Sequence, residues 1–133
     1  MSKKLAFCCG VLAFILIGSA AFVQQVPGLK RTILQRTEFP EHYATVTTIA
    51  ELDPGVTAAR HTHPGIETSY VLEGEGLLRV EGQPDKHVKA GDSFQIPSGT
   101  PHDIGNVSST KPLKILAMFV VERDKPLATP VPK

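Results

Sequence analysis

His61-Thr62-His63 places two imidazoles two residues apart, and Glu67 follows four residues after the second. Along an extended strand alternate side chains share a face, so His61 and His63 point one way and Thr62 the other. Two imidazoles and a carboxylate at this spacing can converge on one cation. His102, delivered by Pro97-Ser98-Gly99-Thr100-Pro101, can close the set. Three imidazole nitrogens and one carboxylate oxygen suit zinc or a first-row transition metal better than magnesium or calcium, which favour oxygen shells. A bare His-x-His is more often a pair of surface histidines beside a turn. The glycines and prolines around this one argue for a site.

The elements that must position these groups are short strands. Residues 44–52 are rich in β-branched side chains and read as a strand, closed by the turn Asp53-Pro54-Gly55. The histidine strand follows, broken at Pro64-Gly65, and a second strand covers 67–72. Further strands are expected over 77–81, 87–89, 93–96, 102–104 and 113–121, with turns at 73–76, 82–85 and 90–92. Strands spaced by eight to twelve residues, with no amphipathic helix, predict an all-β sandwich or barrel. Closing such a sheet on itself removes the open edges along which strands aggregate.

The 133 residues suffice for one domain with a modest core, and 11 glycines and 11 prolines fit a chain of many turns. A formal charge of +1, with no basic run and no interleaving of arginines with aromatics, gives nothing to attract nucleic acid. Met1-Ser2-Lys3-Lys4, the apolar run 5–17 and Gly18-Ser19-Ala20-Ala21 read as a signal peptide over 1–21. The uncharged run 5–23 is also long enough to span a bilayer as an uncleaved membrane anchor. Both readings put the domain outside the cytoplasm, periplasmic or secreted in the first and membrane-anchored in the second. Cys8 and Cys9 both lie in this segment, so no thiol serves the domain downstream. Residues 22–43 read as linker and lead-in, 44–122 as the barrel, and 123–133, with three prolines, as a loose tail.

Two spaced patterns then carry a resemblance. Gly55-x5-His61-x-His63-x3-Glu67-x6-Gly74 and Gly91-x5-Pro97-x-Gly99-x2-His102-x3-Asn106 resemble the two signatures of the cupin superfamily, with every position filled. The resemblance implies a small jelly-roll barrel of the type-2, quercetin-dioxygenase-like kind. It also implies one divalent transition metal (manganese, iron, nickel or zinc) held by His61, His63, Glu67 and His102. A metal beyond four-coordination would keep positions open for a substrate. The activity implied is oxygenation of a small chelating molecule, with Glu67 also the candidate proton-transfer residue. A metal-dependent isomerase or decarboxylase, and a module that binds a metal or small ligand without catalysis, use the same parts.

Alternation assigns faces. Ser69 and Val71 share the face of Glu67, and Ser69 or Gln95 is a candidate to orient a substrate. Ile104 shares the face of His102. Either Phe94 and Ile96 or Ser93 and Gln95 point inward. Ile115, Ala117 and Phe119 oppose Leu116, Met118 and Val120, and since both faces are apolar one is expected to meet a partner, as in a homodimer. Asn106 reads as a turn cap. Arg79 and Glu81 read as one face of a strand, and His42 and His87 as solvent-facing.

Overall fold

A computed structural model describes residues 26–39 and 41–132, so the expected signal peptide or anchor over 1–21 lies outside the described residues. Among those described, no helix is long and apolar enough to cross a membrane. The strands are β1 (Leu29–Phe39), β2 (Tyr43–Leu52), β3 (His61–Thr62), β4 (Gly65–Glu73), β5 (Glu75–Val80), β6 (Lys86–Lys89), β7 (Ser93–Ile96), β8 (His102–Asn106), β9 (Leu113–Glu122) and β10 (Thr129–Pro130). They form two five-stranded sheets, ordered β1-β2-β9-β4-β7 and β10-β3-β8-β5-β6. Pairing within each is antiparallel throughout, which gives the expected all-β, jelly-roll architecture.

The core follows from period-two patterning. On β9, Leu113, Ile115, Ala117, Phe119 and Val121 are buried, while Met118 and Val120 are exposed. On β4, Glu67, Ser69 and Val71 point inward and Ile66, Tyr70 and Leu72 outward. The ambiguity on β7 resolves to Phe94 and Ile96 inside. These side chains meet Val46, Leu52, Leu78, Val88 and Ile104 in one cluster drawn from both sheets.

Two segments differ from the sequence expectation. The supposed linker contains β1, an eleven-residue strand paired with β2 from Leu29↔Leu52 to Phe39↔Tyr43. It lies at a sheet edge and is largely exposed, so Lys30, Arg31, Gln35, Arg36 and Glu38 give it no apolar alternation to read. Charged edges of this kind also discourage pairing with other chains. The supposed loose tail contributes β10, in which Thr129 pairs with Thr62 and Pro130 with His61. Proline is tolerated there because an edge strand has no second neighbour to bond.

One glycine is required by two independent constraints. Gly74, between β4 and β5, has φ 81°, and a Cβ there would collide with the Pro112 carbonyl. Only a residue without a side chain makes that turn against the start of β9.

Candidate metal centre

The two sheets bring the four candidate residues to one end of the barrel interior. His61 opens β3, His63 follows it directly, Glu67 lies on β4 and His102 opens β8. His61 and His102 are register partners across β3 and β8. All four are buried. The three imidazoles offer nitrogens within 4.8 Å of one another, and Glu67 Oε2 lies 2.9 Å from His63 Nε2 and 3.3 Å from His102 Nε2.

The backbone sets the orientation of each ring. His61 Nδ1 lies 2.6 Å from the Ala59 carbonyl, His63 Nδ1 2.5 Å from the Leu127 carbonyl, and His102 Nδ1 2.9 Å from the Thr100 carbonyl. A carbonyl can only accept, so each Nδ1 carries the proton and donates it. In a neutral ring the proton on Nδ1 leaves a lone pair on Nε2. Such a carbonyl bond on the far nitrogen is the usual companion of a metal-ligating histidine. The loop before β8 is held in the same way, with the Gly99 amide donating to the His63 carbonyl at 3.0 Å.

Glu67 is fixed from the other side. The Ser69 hydroxyl donates to Oε1 at 2.6 Å, which turns Oε2 toward the histidines. Burial alone would raise the Glu67 pKa, but the adjoining His102 and His63 rings and the Ser69 hydroxyl outweigh it and hold the carboxyl below its usual range. His61 is pushed down to about 3, first by burial and then by its neighbours His102, His63 and Arg31. The site thus favours an ionised carboxylate and a neutral His61.

The lone pair of neutral His61 and the ionised Glu67 carboxylate are both acceptors, and His63 and His102 turn their Nε2 atoms toward that carboxylate. His63 Nε2 is buried with no hydrogen-bond partner among the described residues, although Glu67 Oε2 lies 2.9 Å away. Acceptors gathered at this range repel one another unless a proton or a cation lies among them. The donor set, three imidazole nitrogens and one carboxylate oxygen, therefore fits a divalent transition metal. Around it the cavity, about 480 Å³ of empty space partly shared with solvent, is lined by Ala58, Leu78, Phe94, Ile104, Ile115 and Ala117. Phe119 sets its ring edge against His63, with centroids 4.7 Å apart.

Several side chains play parts that differ from expectation. Ser69 is bonded to Glu67 rather than free to orient a substrate. Gln95 is exposed on β7 and donates to the Thr68 hydroxyl, outside the barrel, so it does not reach the cavity. Asn106 holds turns together as read, its amide reaching the carbonyls of Leu52, Asp53 and Lys111 at 3.0, 3.1 and 2.8 Å. Arg79 and Glu81 belong to a charge network with Arg60, Asp85 and Asp103. His42 and His87 are exposed. Two contributors went unread: the Leu127 carbonyl from the tail, and Arg31 on β1, whose Nη2 lies 3.5 Å from His61 Nε2. The first is a backbone group and leaves no trace in residue type.

Comparison with known proteins places this geometry in a family. The family described as "Cupin domain" matches residues 48–119. The HTH-type transcriptional regulator PuuR of Escherichia coli is 46% identical over 57 residues, 42% of this chain and 30% of the regulator. An uncharacterised protein of Methanocaldococcus jannaschii is 46% identical over 50 residues, 38% of each chain. This chain therefore spans about a third of the length of these curated relatives. Among solved structures, the DMSP lyase DddQ of Ruegeria pomeroyi superposes with a TM-score of 0.65 at 21% identity, over 77% of this chain and 51% of that one. A double-stranded β-helix protein of Klebsiella pneumoniae gives 0.64 at 24% over 80% and 87%. An oxalate oxidase in complex with the substrate analogue glycolate gives 0.58 at 27% over 65% and 46%. With the two signatures, the double sheet and the family match in agreement, the chain belongs to the cupin domain family.

Proposed function

We propose that this cupin domain holds one divalent transition metal (manganese, iron, nickel or zinc) through His61, His63, Glu67 and His102, and uses it in oxygen-dependent chemistry on a small chelating substrate. The observation that carries this is the set of three Nδ1-anchored imidazoles whose remaining nitrogens gather beside Glu67 Oε2. A bound metal would supply Lewis acidity toward substrate oxygens. The chain's own contribution is orientation and exclusion of water. Backbone carbonyls fix the rings, Ser69 fixes the carboxylate, and Phe94, Ile104 and Phe119 dry the walls. A carboxyl held below its ordinary range is a better ligand than a base near neutral pH, which weakens the case for Glu67 as proton carrier.

A second reading, a ligand-sensing module without turnover, is favoured by the match to transcriptional regulators. Metal analysis by mass spectrometry on protein purified without added metal, followed by oxygen uptake with catechol-like and flavonol-like substrates, separates the two. Stoichiometric metal with turnover supports the oxygenase, and stoichiometric metal with none across the panel supports the module. Protein that takes up no transition metal from any of the four would remove the oxygenase and leave only a module that senses a small ligand without metal. The domain acts outside the cytoplasm in this proposal, released or anchored by 1–21. It pairs as a homodimer through the outer face of the β1-β2-β9-β4-β7 sheet, where Tyr43, Ile66, Tyr70, Met118 and Val120 are exposed. A monomer in gel filtration at micromolar concentration would exclude the dimer.

A further inference from the structure

Arg31 stands apart from the other arginines of the described residues. Arg60, Arg79 and Arg123 pair with carboxylates, and Arg36 donates to the Arg123 carbonyl. Arg31 makes no ion pair among the described residues. Among the described residues its one side-chain polar contact is with His61 Nε2, at 3.5 Å the limit of a hydrogen bond. That nitrogen is the one His61 would give to a metal, because its Nδ1 is bonded to the Ala59 carbonyl. Once His61 is so engaged, no side chain among the described residues pairs with the guanidinium of this exposed β1 residue.

Its position is informative. Arg31 and His61 are shared by two adjoining cavities, the inner one holding Glu67 and the histidines and an outer one lined by Val26, Ala59, Ala128 and Pro130. The outer cavity is apolar apart from these two shared side chains and is built from the lead-in and the tail. Arg31 also precedes residues 48–119, so it comes from outside the segment matched to the family. A single planar guanidinium at a mouth with no second cation matches a planar carboxylate, which it grips with two parallel N–H···O bonds. Phosphate usually gathers several donors, such as backbone amides at a helix start, and among the described residues this mouth has no helix.

We propose that Arg31 binds the carboxylate of a small 2-oxo- or 2-hydroxy-acid, with the adjacent oxygen directed toward the histidine cluster and an aliphatic substituent lying in the outer cavity. The proposal rests on the metal reading above. It assigns a ligand class and a specificity residue to the same site.

Isothermal titration calorimetry of 4-methyl-2-oxopentanoate into the metal-loaded full chain tests it, with metal content measured on every sample. The parent chain is expected to bind the acid and not its methyl ester. Arg31→Gln is expected to keep stoichiometric metal and to bind the acid roughly 10–100-fold more weakly, the loss of hydrogen bonds to a charged group. Arg31→Lys, which keeps the charge and loses the fork, should fall between the two. Unchanged affinity in Arg31→Gln with metal retained overturns the proposal while leaving the metal site standing. So does equal binding of the ester, no binding of the acid by the metal-loaded parent, or displacement by inorganic phosphate at equal concentration. Failure of the parent chain to take up metal overturns the metal reading itself, and the proposal with it.

Discussion

Strand β8 carries a buried polar side chain at each end, His102 and Asn106, and the two meet opposite fates. Asn106 is satisfied inside the chain. Its amide reaches three backbone carbonyls and its oxygen accepts from the Ser108 amide at 2.9 Å. His102 is satisfied on one side only: Nδ1 bonds the Thr100 carbonyl, while Nε2 faces Glu67 Oε2. The same division runs across the neighbouring strands. Near Asn106 the backbone carbonyls of Leu52, Asp53 and Lys111 take up the polar side chain, and near His102 the interior opens into a cavity with His61, His63 and Glu67. A buried polar group whose partners are all in the chain serves stability. One whose free atom faces other acceptors is arranged for something the chain does not contain.

The largest expected effect breaks the open end and spares the closed one. His63→Ala removes the nitrogen that has no hydrogen-bond partner. Transition-metal content by mass spectrometry should fall to background, while circular dichroism keeps the β signature. Metal retained at full stoichiometry in this variant would count against His63 as a ligand.

Asn106→Ala should do the reverse. It takes the side-chain donor from the Leu52, Asp53 and Lys111 carbonyls, of which Asp53 keeps the Val56 amide, at a cost of about 1–3 kcal/mol in urea unfolding of the metal-free protein. Metal stoichiometry should be unchanged. Equal loss of metal in both variants would mean that the two ends are not separable.

Ser69→Ala sharpens the contrast. The hydroxyl touches no other candidate ligand and acts only by holding Glu67 Oε1. Metal affinity by competition with a chelator should weaken roughly 10–100-fold, the usual consequence of losing a residue that orients a ligand. An unaltered affinity would show that the β4 backbone alone suffices to aim Glu67.

The two ends were also unequally legible. His61, His63, Glu67 and His102 stood out because imidazoles and a carboxylate at fixed spacing are rare and the framing Gly74, Pro97 and Gly99 obey steric rules that hold before folding. The β2, β4 and β9 strands were legible because one face of each is buried and alternation records it. β1 was not, since a largely solvated edge strand is free to be charged along its length. Nor were Arg31, which the fold alone brings to the cavity mouth, and the Leu127 carbonyl, which any residue could supply. Ser69 was placed on the correct face, but its partner was settled by a hydroxyl-to-carboxylate distance that sequence does not encode.

Acid sets the smallest step and follows from His61. Its pKa is lowered from 6.5 to about 3 in the folded state, because burial and the adjacent His102, His63 and Arg31 disfavour the imidazolium. Between those values the unfolded chain binds a proton that the folded chain refuses, so metal-free stability declines as pH falls through this window and is unaffected above it. One proton corresponds to at most about 1.4 kcal/mol per pH unit. Glu67, also lowered, acts in the same direction but only below its ordinary value of 4.5. Urea unfolding at pH 7, 6 and 5 isolates the histidine contribution, and His61→Gln, which cannot titrate, should lose that part of the slope. Parallel pH profiles for the two proteins would show that the folded chain accepts the proton, and that the open end is less hostile to positive charge than its burial implies.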